Sequence, residues 1–170
     1  MDFPQSPFVL RALDFATEAH GSIGHVRKYT GEPYINHLIE VMKIVSGVPH
    51  TDEMLAAALL HDVIEDTPVT REDIARKFGN KVIALVMELT DQCHEGNRKT
   101  RKAGEAARLG TISPDAQTIK LADFISNTSS IVLNDPDFAK VYLREKSEVL
   151  AVMTSGDPSL YERALSREAG

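Results

Sequence analysis

Apolar side chains recur at steps of three and four residues from Phe8 to about Met153, with no convincing stretch of strict apolar–polar alternation. That period belongs to helices, where residues three and four apart share a face, and not to strands, where the period is two. The chain is therefore expected to be all-α, a compact helical bundle of about seven to nine helices. Turn and cap residues place the elements. Phe8 to His20 is the first helix, followed by a glycine-bearing loop from Gly21 to Pro33. Tyr34 to Val45 is the second, ended by Gly47 and Pro49. Thr51 or Asp52 caps a third, which runs through LAAALL to about Asp66. Thr70 caps a fourth that stops at Gly79, and Lys81 to Thr90 is a fifth. After a polar, basic segment from His94 to Arg108, three cap-plus-proline pairs open the remaining helices: Ser113-Pro114, Asp135-Pro136 and Asp157-Pro158.

Length and charge narrow the class further. The 170 residues suggest one domain over 1–170, with a core at about 8–153 and a short helical tail at 157–168. Hydrophobic residues at 42% and charged residues at 26% are ordinary globular usage, which argues against disorder and coiled coil. No apolar run approaches the roughly 20 residues of a membrane helix, so no membrane span is expected. The N-terminal segment lacks the pattern of a secretory signal. The single cysteine, Cys93, can form neither an internal disulfide nor a cysteine zinc cage, and a reducing cytoplasm follows as the default. A net charge of −6 disfavours nucleic acid as a partner, because phosphate binding needs a broad basic surface. Association as a homodimer stays open. No phosphate-binding loop and no nucleophile elbow is present, so P-loop and α/β-hydrolase chemistry has no support.

The residues that carry chemistry stand out against this apolar pattern. In LLHDVIEDT, His61, Asp62, Glu65 and Asp66 close a helix whose preceding turns are wholly apolar. At 3.6 residues per turn they share one broad face. A solvated acidic helix end explains such a group; so does a divalent cation that compensates buried polar atoms. His37, in GEPYINHLIEV, and Asp123, in TIKLADFISN, are a second histidine and a second acid in apolar settings. Singly, each reads as a hydrogen-bonded core residue or, for Asp123, a salt-bridge partner of Lys120. Together the four offer two imidazoles and two carboxylates, a donor set suited to a borderline first-row ion and unsuited to calcium. Mn²⁺ is the first choice, with Fe²⁺ or Zn²⁺ as substitutes. His20, His25, His50 and His94 lack partners at ligand spacing and are expected on the surface or in loops. Arg27-Lys28 precedes the His37 helix, and Arg98, Lys99, Arg101 and Lys102 form a second basic cluster. Either a solvated face or a site for several phosphates accounts for them.

The pattern His37, His61-Asp62, Asp123 resembles that of the HD-domain metal-dependent phosphohydrolases. The wider context resembles one branch of them, the hydrolase domain of the Rel/Spo homologues, which cleave ppGpp and pppGpp. The matching pieces are RKYTGEPYINH from Arg27, AALLHDVIEDT from Ala57, FGNKV from Phe78, ELTD from Glu88, and KLAD followed by Asn127. The chain looks like a single-domain small alarmone hydrolase.

That resemblance implies roles. His37, His61, Asp62 and Asp123 match the Mn²⁺ ligands. Glu65 and Asp66 match the acidic pair that positions and activates the attacking water. Arg27 and Lys28 match residues that hold the nucleotide and its phosphates, and Asn127 a residue at the ribose. More loosely, Arg98, Tyr142 and Lys146 lie where relatives place substrate contacts. The implied reaction is hydrolysis of the 3′-pyrophosphate of a nucleotide carrying several phosphates. The chain departs from the family at Leu38, where proline is common, and at Phe124, Ile125 and Ser126 after KLAD. These positions bear on the nucleotide pocket, so an adenine alarmone such as ppApp is an alternative to the guanine one. Other readings are an NADPH 2′-phosphatase, a nucleoside monophosphate phosphatase, a nucleotide-binding module without turnover, and a purely structural helical domain.

Overall fold

The computed structural model describes residues 6–167; the opening five residues and the last position of the expected tail, 168, lie outside that span. Among the described residues ten helical segments follow one another, one of them a single turn, as the three- and four-residue period requires. Among the described residues, extended pairing amounts to one antiparallel bridge, Val26 with Pro33. The chain falls into two compact units, Met1–Thr90 and Asp91–Gly170.

The first unit holds α1 (Pro7–Ser22), α2 (Ile35–Ser46), α3 (Asp52–Leu60), α4 (Val63–Asp66), α5 (Arg71–Phe78) and α6 (Asn80–Leu89). Its centre is α3, which packs against α1, α2 and α6. The LAAALL run explains that position: every side chain from Met54 to Leu60 is buried. A helix apolar all round has no face to give to water. Each fully buried leucine there contributes about 1.5–3 kcal/mol relative to exposure. Thr51 caps α3 by accepting from the Met54 amide. Thr70 and Asp73 form a reciprocal capping box at the start of α5. Phe8 and Phe15 of α1 meet Phe78 of α5 edge-on, with centroids 6.0 and 5.5 Å apart. The loop from Gly21 to Pro33 doubles back through the Val26–Pro33 bridge, and Gly31, at φ 73°, makes the reversal that a residue with a Cβ resists.

The second unit holds α7 (Arg98–Leu109), α8 (Pro114–Asn134), α9 (Pro136–Val152) and α10 (Pro158–Ala164). The three cap-plus-proline pairs act as expected: Ser113, Asp135 and Asp157 accept from the amides of Ala116, Phe138 and Leu160. The long α8 lies against α9 and α10, and α7 packs on α9. The polar segment after His94 is helical as well, because Asn97 accepts from the Thr100 amide and opens α7. The turn before α10 is sewn to α8 by the amides of Ser155 and Asp157, which donate to Gln117 Oε1 at 2.7 Å and Thr118 Oγ1 at 2.9 Å. A side chain at Gly156 would stand 2.8 Å from Leu121 Cδ1, so glycine is what permits this close approach.

One expectation fails in detail. The third helix was expected to run unbroken to about Asp66, but it stops at Leu60 and a single turn, α4, resumes at Val63. His61 Nδ1 donates to the carbonyl of Ala58 at 2.7 Å, the carbonyl that a continuing helix would offer to the Asp62 amide. Asp62 itself sits at φ −100°, ψ −2°. The backbone thus leaves ideal helical geometry at Asp62, just after His61, which keeps φ −64°, ψ −24°.

Candidate active site

In the first unit, α2 and the end of α3 bring three of the expected ligands together. His37 and His61 are buried and Asp62 is half-buried, and each offers a donor atom within 4.8 Å of the others. The rings of His37 and His61 lie 6.2 Å apart at 65°. His61 is set by its own helix: a carbonyl only accepts, so Nδ1 carries the proton shared with Ala58 O, which leaves Nε2 as the nitrogen able to ligate a metal. Nε2 stands 3.3 Å from Asp62 Oδ2. Two electron-rich atoms at that separation suit a shared cation, and an imidazole donating its other nitrogen to a backbone carbonyl is the usual arrangement of a histidine ligand. The donor chemistry therefore fits a divalent ion.

Asp62 is held from the other side by Tyr34, whose hydroxyl donates to Oδ2 at 2.5 Å. Tyr34 caps α2, and its carbonyl accepts from the His37 amide. The tyrosine thus joins the helix that carries His37 to the turn that carries Asp62, a link the sequence reading missed. Glu65 and Asp66 occupy the one-turn α4, both reached by solvent. Crowding by protein, and then the charges of Asp62 and Glu65, push the Asp66 carboxyl up to about 6. Three carboxylates this close repel one another, which a cation relieves.

The sequence reading was mistaken about His20, and in part about His25. His20 is buried, with a relative exposure of 1%, and His25 is half-buried beside it. His20 Nδ1 and His25 Nδ1 are 2.9 Å apart. The His25 ring stacks on Tyr34 at 4.0 Å and 17°. Burial, with His25 next, lowers the His20 pKa to about 4, so its ring is neutral. A signal did exist: Ala12, Ala16 and His20 fall at four-residue steps on the buried stripe of α1. His50 and His94 are exposed, as expected.

Of the basic pair before α2, Arg27 is partly buried beside Glu40 at 3.8 Å, and Lys28 is exposed with its ammonium over the Tyr29 ring at 5.3 Å.

In the second unit, Asp123 sits buried on α8. Its Oδ2 accepts from Lys120 at 3.1 Å and its Oδ1 from Asn127 at 3.2 Å. The Lys120 pairing weighed from the sequence is thus present. A cavity of about 230 Å³ opens beside it, lined by Arg98, Asp123, Phe124, Asn127, Tyr142 and Lys146, among others. Five of the expected site residues, Asp123, Asn127, Arg98, Tyr142 and Lys146, therefore share one cavity of the second unit. Arg98 makes a two-pronged pair with Glu145, at 2.9 and 3.0 Å. The Tyr142 hydroxyl donates to Phe124 O at 3.5 Å, and burial with the nearby Asp123 charge drives its pKa up. The Lys146 ammonium donates to Thr128 Oγ1 at 3.1 Å and to the Ser166 carbonyl at 2.7 Å.

Residues 12–150 match the HD domain family. MESH1 of Drosophila melanogaster, a guanosine-3′,5′-bis(diphosphate) 3′-pyrophosphohydrolase, is 42% identical over 137 residues, which cover 79% of this chain and 74% of the relative. The pyrophosphohydrolase of the same description from Aquifex aeolicus is 32% identical over 146 residues, 84% of this chain but only 20% of that longer protein. A solved structure described as a metazoan orthologue of SpoT that hydrolyses ppGpp superposes with a TM-score of 0.85 at 30% identity, over 96% of this chain and 94% of its own. Among the described residues no helix is long and apolar enough to cross a membrane.

Proposed function

Because this chain belongs to the HD-domain family, we propose that it is a metal-dependent hydrolase that removes the 3′-pyrophosphate of (p)ppGpp-like alarmones in the cytoplasm. The observation that carries this reading is the cluster of His37, His61 and Asp62, with donor atoms within 4.8 Å of one another, in a chain 42% identical to a ppGpp pyrophosphohydrolase. The HD domain implies a divalent ion; Mn²⁺ is the ion proposed, with Fe²⁺ or Zn²⁺ able to replace it. Asp123 of the second unit is proposed as the fourth ligand, a reading supported by the match of the family across both units.

The ion supplies Lewis acidity, making water more acidic and drawing charge from the phosphoryl oxygens. The chain's own residues do the rest. His61 presents Nε2 because Ala58 O fixes its tautomer, and Tyr34 holds Asp62 by a 2.5 Å hydrogen bond. Glu65 or Asp66 accepts a proton from the attacking water and orients its lone pair at the phosphorus bonded to the 3′-oxygen. The bond between that phosphorus and the 3′-oxygen breaks, and the leaving 3′-oxygen takes up the proton released from water to become the 3′-hydroxyl. One water and ppGpp yield GDP and pyrophosphate, or GTP and pyrophosphate from pppGpp. Arg27 and Lys28 neutralise phosphate charge as it shifts toward the leaving oxygen. Asn127, Arg98, Tyr142 and Lys146 are proposed to line the nucleotide end, where Phe124 adds an aromatic surface.

The test is incubation of the protein with Mn²⁺ and, separately, ppGpp, ppApp and NADPH, with products resolved by anion exchange. Pyrophosphate from ppGpp or ppApp is the expected product. Orthophosphate from NADPH alone would assign the site to a 2′-phosphatase instead.

A further inference from the structure

A second cluster of ligating side chains lies in the first unit and takes no part in the reaction described above except through Asp66. His20 on α1, His25 in the following loop and Asp66 on α4 each offer a donor atom within 4.8 Å of the others. We propose that His20, His25 and Asp66 bind a second divalent first-row ion, of the zinc type, distinct from the ion at His37, His61 and Asp62.

Three observations carry the site. First, the Nδ1 atoms of His20 and His25 face each other 2.9 Å apart, so that lone pairs on both can point at one shared cation in place of the proton that otherwise bridges them. Second, the 2.9 Å separation has to widen by only about 0.5 Å to match two nitrogens at tetrahedral angles around an ion about 2.0–2.1 Å from each. Tyr34 backs both rings, stacking on His25 at 4.0 Å and lying tilted at 43° against His20 with centroids 5.0 Å apart. Third, the only carboxylate of the group, Asp66, stands beside Asp62 and Glu65, whose charges already favour a cation there. Two imidazoles and one carboxylate with solvent access at Asp66 form an N,N,O set with room for water, the type favoured by zinc and its neighbours.

The cluster shares Asp66 with the proposed reaction but none of the ligands His37, His61 and Asp62, so the two sites can be tested apart. It is tested on the full chain stripped with a chelator and titrated with Zn²⁺ alone, with bound metal counted by mass spectrometry and calorimetry. The expected result is two ions per chain for the wild type, one for His25→Gln, one for Asp62→Asn and none for the double variant. Loss of the ion in Asp62→Asn with none lost in His25→Gln would overturn the second site while leaving the first standing. The reverse pattern would uphold the second site and sink the first. Should His25→Gln fail to fold, the ¹⁵N resonances of the wild-type imidazoles answer the question. Those of His20 and His25 shift on saturation with Zn²⁺ if the site exists, and stay in place if the two rings share only a proton.

Discussion

The Tyr34 hydroxyl donates to Asp62 Oδ2 at 2.5 Å while its ring stacks on His25 at 4.0 Å. One side chain at the cap of α2 therefore orients a proposed metal ligand 28 positions later. Removing the donor leaves the ring packing in place and frees the carboxylate to turn. We predict that Tyr34→Phe lowers affinity for a divalent ion by about 10–100-fold, the usual loss when the group supporting a metal ligand is removed. Calorimetric titration with Mn²⁺ measures it, and an unchanged affinity would show that Asp62 is oriented by its backbone alone.

Ligand and proton-handling roles separate on mutation. Asp62→Ala and Asp123→Ala are expected to lose the Mn²⁺ held with His37 and His61 and to show no turnover. Glu65→Ala is expected to keep the ion and lose about 10²–10⁴-fold in rate, the typical share of a positioned acid–base group. Metal analysis beside a pyrophosphate-release assay reads both quantities; a metal-free Glu65→Ala protein would overturn this division.

The core position of α3 sets a stability expectation. Leu59 is wholly buried, whereas Leu133 is 71% exposed on α8. We predict a cost of about 2–5 kcal/mol for Leu59→Ala, from lost burial and the cavity left behind. Leu133→Ala should fall within about 0.5 kcal/mol of the wild type. Urea denaturation of the two variants gives the comparison, and equal midpoints would contradict the burial pattern.

Lys146 supplies a pH signature. Burial, with the nearby Arg167 charge, lowers its pKa from 10.5 to about 8. Between those two values the unfolded chain binds more protons at this site than the folded chain, so stability rises with pH there. Below about 8 the cost of the buried charge is felt in full. Relative to Lys146→Met, the wild type should therefore gain melting temperature as pH rises from 8 toward 10. A difference between the two proteins that stays constant over that range would show that Lys146 keeps an ordinary pKa.

Much of this architecture was legible from residue order. Helix type, the three proline-led starts and the capping role of Thr70 depend on neighbours within four positions, and each stands as expected. Buried settings for His37, His61 and Asp123 followed from the apolar positions around them. The break at His61-Asp62 did not follow, because nothing in LLHDVIEDT itself says that the imidazole will take the Ala58 carbonyl. The burial of His20 was in the four-residue pattern of α1, but the lack of partners at ligand spacing led to the expectation of a surface or loop residue.

The sequence by itself determined which backbone segments coil and which donor atoms they carry, since helical hydrogen bonds and caps are local. Only the tertiary structure decided that Tyr34 reaches Asp62 and that His25 folds back onto His20. Spacing along a helix assigns a residue to a face. Which loop closes over that face depends on packing between segments far apart in the chain, and no local periodicity encodes it.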